Sequence, residues 1–99
     1  MIVLAGTIEL HLPGIGSLKD KRGSLKSLMN RVRKTFNVAL AEVGLNEVWQ
    51  SASVGFAIVS TSSTHAEAVL DNILGWIERN RPDVEIVDYT QEIIHVSQD

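Results

Sequence analysis

Residues 17–36, SLKDKRGSLKSLMNRVRKTF, decide the fold, because their spacing fits one amphipathic helix. Leu18, Leu25, Leu28, Met29, Val32 and Phe36 fall within an arc of about 100° at helical spacing, the width of a stripe that faces a core. Ser17, with Asp20 three residues later, has the pattern of a capping box. In such a box the hydroxyl and the carboxylate satisfy backbone N–H groups at the helix start. Gly23 costs about 1 kcal/mol relative to Ala inside a helix, so any bend is expected there.

Working outward, Ile2 to Leu12 has period two: Ile2, Leu4, Ile8, Leu10 and Leu12 share one face, and Thr7, Glu9 and His11 take the other. This is a long strand with one buried face, ended by the turn residues Pro13-Gly14-Ile15-Gly16. On the far side of the helix, Asn37–Val43 reads as a short strand that is apolar on both faces except for Glu42. Gly44-Leu45-Asn46 turns the chain into a third strand, Gln50–Ser60, in which Ala52, Val54, Phe56 and Ile58 lie in step. Thr64 and Glu67 form a second candidate capping box, followed by the apolar stripe Ala66, Val69, Leu70, Ile73 and Ile77 and stopped by Asn80 and Pro82. Val84–Ile94 is expected to close the chain as one last strand.

The order β-α-β-β-α-β, with right-handed crossovers, predicts an α+β ferredoxin-like sandwich: a four-stranded antiparallel sheet with both helices on one face. Residues 1–99 are expected to form a single domain, since domains run from about 50 to 250 residues. The two βαβ halves share no residue-level repeat.

Charge is concentrated in the same helix that decides the fold. Seven of the nine Lys and Arg residues lie in 17–36, with Asp20 the only acid, so the stretch carries +6. Two cations against eleven acids leave −9 on the remainder, which gives the −3 of the whole chain. Helical geometry puts Lys19, Arg22, Lys26 and Arg33 on one flank, whereas Arg31 and Lys34 point elsewhere. Arg22 and Lys26, four apart, repel by about a few tenths of a kcal/mol. A helix shaped for stability alone would intersperse acids, as the second helix does with Glu67, Asp71 and Glu78. The stripe supports two readings. One is a phosphate-binding surface made of Lys19, Lys21, Arg22, Lys26 and Arg33; the other is a solvated face whose cations pair with Glu42, Glu85, Asp88 or Glu92.

The motifs SLKDKR, KS, RVR, FNV, AEV and WQ, running from residue 17 to residue 50, closely resemble those of the YlxP-like family of small bacterial proteins, a family of unknown function. Ser17, Leu18, Lys19, Lys21, Arg22, Lys26, Arg31, Arg33, Phe36, Asn37, Ala41, Glu42, Trp49 and Gln50 are the matching positions. The resemblance implies a ferredoxin-like fold and, through the family's company among translation-initiation and ribosome-maturation genes, an RNA-associated role. It brings no catalytic residues. Gly23 departs from the family's usual longer, often basic residue.

Other chemistries find little support. The chain has no cysteine, which excludes disulfides and thiolate sites. His11, His65 and His95 show no metal-ligand spacing, and His11 beside Glu9 reads as a solvated pair. Gly14-Ile15-Gly16-Ser17 is neither a Walker loop nor a dinucleotide fingerprint. Acylphosphatases share the fold, but their phosphate-cradling loop has no counterpart in residues 13–16. Phe56 runs in phase with Val54 and Ile58 as a core residue, so base stacking on the sheet is not expected. Trp49 is expected to cover an edge of the core, and Trp76 to border the second helix's stripe. Val3, Ala5, Ala39, Ala41, Ala57 and Val59 are expected on an open sheet face suited to a second copy.

The expectation is therefore a non-enzymatic cytoplasmic accessory protein without cofactor, metal or small-molecule substrate. It would contact structured RNA or a ribosomal particle through Lys19, Lys21, Arg22, Lys26 and Arg33, and it would form a homodimer. No apolar run reaches the roughly 18 residues of a membrane span, and the N-terminus reads as a strand and not as a signal peptide. The alternative is a dimeric interaction module that docks an acidic protein surface.

Overall fold

The period-two face of the first strand becomes the floor of the core. A computed structural model describes residues 1–97. In it, β1 (Ile2–His11) and β3 (Ser51–Ser60) pair antiparallel over ten residues, from Ile2 opposite Ser60 to His11 opposite Ser51. β2 (Ala39–Gly44) lies outside β3, while β4 (Glu85–Tyr89) and β5 (Glu92–His95) both pair with β1 on its other side. The sheet order β2-β3-β1-β4 places β1 and β3 at the centre.

Helices α1 (Leu18–Thr35) and α2 (Ser63–Asn80) cover one face of this sheet. Ile2, Leu4, Ile8, Leu10 and Leu12 from the first strand region join Val54, Phe56 and Ile58 of β3 beneath them. Leu25, Leu28 and Val32 of α1 and Leu70, Ile73 and Ile77 of α2 close the same cluster from above. Each such side chain, fully buried, contributes about 1.5–3 kcal/mol. The fold is the ferredoxin-like βαββαβ sandwich. Among the described residues, no helix is long and apolar enough to cross a membrane.

Two details differ from the sequence reading. The last strand is not continuous: it breaks at Thr90-Gln91, where the chain passes directly over Gly6, so the sheet has five strands. A Cβ at Gly6 would overlap the Thr90 carbonyl oxygen, while the Thr90 N–H donates to Thr7 O (2.8 Å) and the two threonine hydroxyls lie 3.0 Å apart. Glycine is thus required by close backbone approach. The second helix also starts earlier than the Thr64–Glu67 box suggested. Ser62 is its N-cap, with Oγ accepting the His65 N–H at 3.3 Å. At α1 half of the expected box is present, Ser17 Oγ accepting the Asp20 N–H at 3.1 Å, while the Asp20 carboxylate accepts no hydrogen bond among the described residues.

The end of α2 is tied back to α1 by Arg81. Its guanidinium donates to Ser24 Oγ (2.7 Å) and to both carboxylate oxygens of Asp83 (2.9 and 2.8 Å). Those hydrogen bonds hold the Asp83 carboxyl below its ordinary range.

Candidate nucleic-acid interface

The seven cations of α1 and its borders have unequal fates, and the backbone explains why. Lys21 lies four, seven and eleven residues before Leu25, Leu28 and Val32, which puts it on the buried stripe. It is 1% exposed. Its Nζ donates to Leu45 O (2.5 Å) and Val48 O (2.6 Å) and lies 2.9 Å from Glu42 Oε2. The short hydrogen bonds go to the carbonyls, whereas Glu42 Oε2 makes a close ion pair without a well-directed hydrogen bond. Lys21 is therefore withdrawn from the phosphate-contacting set, because burial and three internal acceptors place its ammonium out of reach of any ligand. Glu42, the one charge on an otherwise apolar strand, is its counter-ion.

Arg33 is exposed, yet its guanidinium is engaged at Leu40 O (2.6 Å) and Asn30 Oδ1 (3.1 Å). It keeps its charge but is held against β2. Arg31 lies 5.0 Å from the ring centroid of Trp76, a cation–π contact between the two helices. Trp76 itself is half-buried against the core, as its place beside the α2 stripe implied. Lys19, Arg22 and Lys26 are exposed on one flank and form no ion pair among the described residues. The acids Glu85, Asp88 and Glu92 are on β4 and β5, paired with β1 and not with the helix.

Lys21 also organises the loop between β2 and β3. Leu45 there has φ of 61°, a left-handed conformation costing about 1–2 kcal/mol for a residue with a Cβ. The hydrogen bond from Lys21 to its carbonyl, and a turn in which Val48 N–H donates to Leu45 O (3.0 Å), hold it there. Further along, Gln50 O accepts from the Leu12 N–H (2.8 Å) and from His11 Nδ1 (3.0 Å), so Nδ1 carries the proton. The Gln50 side chain donates to Ile15 O (3.2 Å). His11 and Glu9 are accordingly not a pair, since Glu9 Oε1 accepts from Ser53 Oγ at 2.8 Å. Trp49, between the anchored residues 48 and 50, is 51% exposed and does not cover the core.

A family model described as a protein of unknown function (DUF503) matches residues 3–91. The chain belongs to the DUF503 family. The uncharacterized protein YlxP of Bacillus subtilis (strain 168) is 41% identical over 70 residues, covering 71% of this chain and 75% of its own. A solved structure, the de novo designed protein Foldit4, aligns with a TM-score of 0.53 and 13% identity over 98% of this chain and 100% of its own, a likeness of fold alone. Neither name states an activity, so the chemistry of this DUF503 member rests on its own side chains.

Glu42 is among the candidate counter-ions the sequence of this DUF503 chain offers, but its assignment to Lys21 and the exposure of Trp49 are new in the structure, and only the first left a signal. Lys21 stands in phase with the apolar stripe, and Glu42 interrupts an apolar strand; opposite charges at two buried positions are a recognisable pair. Nothing local marks Trp49 as exposed, because its burial depends on where the loop docks. Phe56 is buried at 4%, so it offers no ring to a base.

Proposed function

We propose that this chain is a non-enzymatic accessory protein that binds structured RNA or a ribosomal particle through α1, with Lys19, Arg22 and Lys26 as the principal phosphate contacts and Arg33 as a fixed positive charge beside them. The single observation that supports this is the exposed cationic flank on an otherwise acidic chain, free of ion pairs among the described residues. Phosphates approaching it release condensed counterions, so affinity is electrostatic and sets position without reading bases. A reducing cytoplasm, compatible with the absence of cysteine, is the setting this implies.

The test is a titration of RNA against salt. Three to four phosphate contacts give a slope of log K against log salt of about −2 to −3 for single strands. A binding constant that does not move with salt overturns the proposal.

A second reading has its own observation. The sheet face away from the helices is open: Val3 pairs with Val59 and Ile94, and Ala5 with Ala57, which in turn faces Ala39. Val59 is 59% exposed and Ile94 44%. Between Ala5, Ala39, Ala41, Val43 and Gly55 the face dips into a trough of about 370 Å³. Apolar faces of this kind mark association sites, and a second copy of the chain is the partner we assign to it. On this reading the protein is a dimeric module whose basic helices, facing outward, dock an acidic protein surface.

A further inference from the structure

The β2–β3 loop is more firmly built than a plain connection needs, and it holds an aromatic ring in water. Backbone groups on both sides of Trp49 are fixed: Val48 O by Lys21 Nζ (2.6 Å) and Gln50 O by the Leu12 N–H (2.8 Å). The Leu45 carbonyl is gripped by the same ammonium, and the Gln50 side chain is bonded to Ile15 O. With the carbonyls of residues 48 and 50 both bonded elsewhere in the fold, Trp49 between them is 51% exposed. Lys21 fixes this loop against the first turns of α1, where Lys19 and Arg22, on either side of Lys21 in sequence, are exposed. An exposed indole is thus carried on a loop whose backbone is tied to the first turns of α1, the end of the helix that bears Lys19 and Arg22.

The chemistry exposed there is an indole on a loop bound to a helix that carries exposed cations. That combination suits a planar group carried on a polyanion, and an unpaired nucleotide is such a group. The open sheet face carries Val3, Ala5, Ala57 and Val59, and Phe56 points into the core; the sheet's exposed aromatic, Tyr89 (41% exposed), ends β4, a strand that carries the acids Glu85 and Asp88. Leu45 and Val48, 46% and 43% exposed, add apolar surface on this loop; Glu47 and Glu42 are the acids nearest Trp49 in sequence, and Asp20 adjoins Lys21. With Glu42 paired to Lys21, Glu47 and Asp20 stand against Lys19, Arg22 and Lys26, which form no ion pair among the described residues. The net charge is therefore positive, which favours a polyanion over an acid-free apolar peptide. A loop ordered before binding loses little freedom when the base arrives.

We propose that Trp49 is a stacking platform for one unpaired base of an RNA whose adjoining phosphates are held by Lys19 and Arg22. This rests on the reading of α1 as a phosphate-binding surface and adds to it a preference for single-stranded or looped RNA over continuous duplex.

The experiment uses the full chain carrying Trp76→Phe, so that Trp49 is the only tryptophan, with an oligoadenylate of about twelve nucleotides and an RNA duplex of similar length as probes. The single strand is expected to quench Trp49 emission. Trp49→Ala is expected to lower the ratio of single-strand to duplex affinity by about five- to one-hundred-fold, and Trp49→Phe to restore most of it. A melting curve confirms that Trp49→Ala folds. Single-strand binding that neither quenches emission nor changes with Trp49→Ala overturns the stacking proposal and assigns Trp49 to a protein contact or to no contact. If duplex binding then still falls with Arg22→Ala, the phosphate-binding surface survives alone. Failure of the protein to bind either RNA overturns both.

Discussion

Replacing Lys21 by Met keeps the length of the buried stem and removes only the ammonium, which isolates what that charge does. Three acceptors lose their partner: Leu45 O, Val48 O and the carboxylate of Glu42. Breaking a fully buried ion pair from one side costs about 3–5 kcal/mol. The Glu42 side chain is 19% exposed, so water recovers part of that, and the two loop carbonyls can turn outward. A loss of about 3 kcal/mol is expected, against a total of roughly 5–15 kcal/mol for a small domain. At about 4–8 °C per kcal/mol for a domain of this size, Tm falls by about 12–24 °C. Urea unfolding followed by far-UV circular dichroism measures it, with the midpoint moving and the slope unchanged. Adding Glu42→Leu to Lys21→Met removes the orphaned carboxylate and is expected to return about 1 kcal/mol or more, a coupling that single substitutions cannot show. A loss below about 1 kcal/mol, or strict additivity of the two changes, would refute the claim that this ammonium holds the loop and its acid in place.

Other consequences follow from the same geometry. Arg22→Ala combined with Lys26→Ala is expected to make the salt slope of RNA binding shallower by about one to two units; Lys21→Met, assayed below its melting temperature, should leave the slope as it was. Gly6→Ala drives a methyl group into the Thr90 carbonyl, and a loss of about 2 kcal/mol or more in a urea titration is expected, because backbone on both sides leaves no flexible neighbour to yield. Val59→Glu places a carboxylate in the middle of the open sheet face. Light scattering should report a mass that halves from dimer to monomer while thermal stability of the monomer changes by no more than about 0.5 kcal/mol. A wild-type chain that is already monomeric at high concentration removes the dimer reading.

The amino-acid order specifies the succession of elements, the two helical stripes and the buried face of the first strand. Each of these is a local record: period two in Ile2–Leu12 and period 3.6 in Leu25, Leu28 and Val32 follow from alternate burial along one element. It also determined the charge imbalance, since counting residues needs no coordinates. Helical phase hints that Lys21 lies on the buried stripe, and the assembled structure supplies the acceptors that withdraw it from solvent. Lys21 and Lys19 are two residues apart, yet one faces the core side of α1 and finds Glu42 across the gap to β2, while the other faces water. The break between β4 and β5 has the same origin, because Gly6 and Thr90 are 84 residues apart in sequence and their collision exists only once the strands are side by side. Exposure of Trp49 is likewise set by anchors at Lys21, Leu12 and Ile15, which folding brings to the loop from elsewhere in the chain. Periodicity reports how one segment divides its surface between core and solvent; pairing between distant segments assigns individual side chains their partners, and that pairing is a property of the assembled sheet and helices.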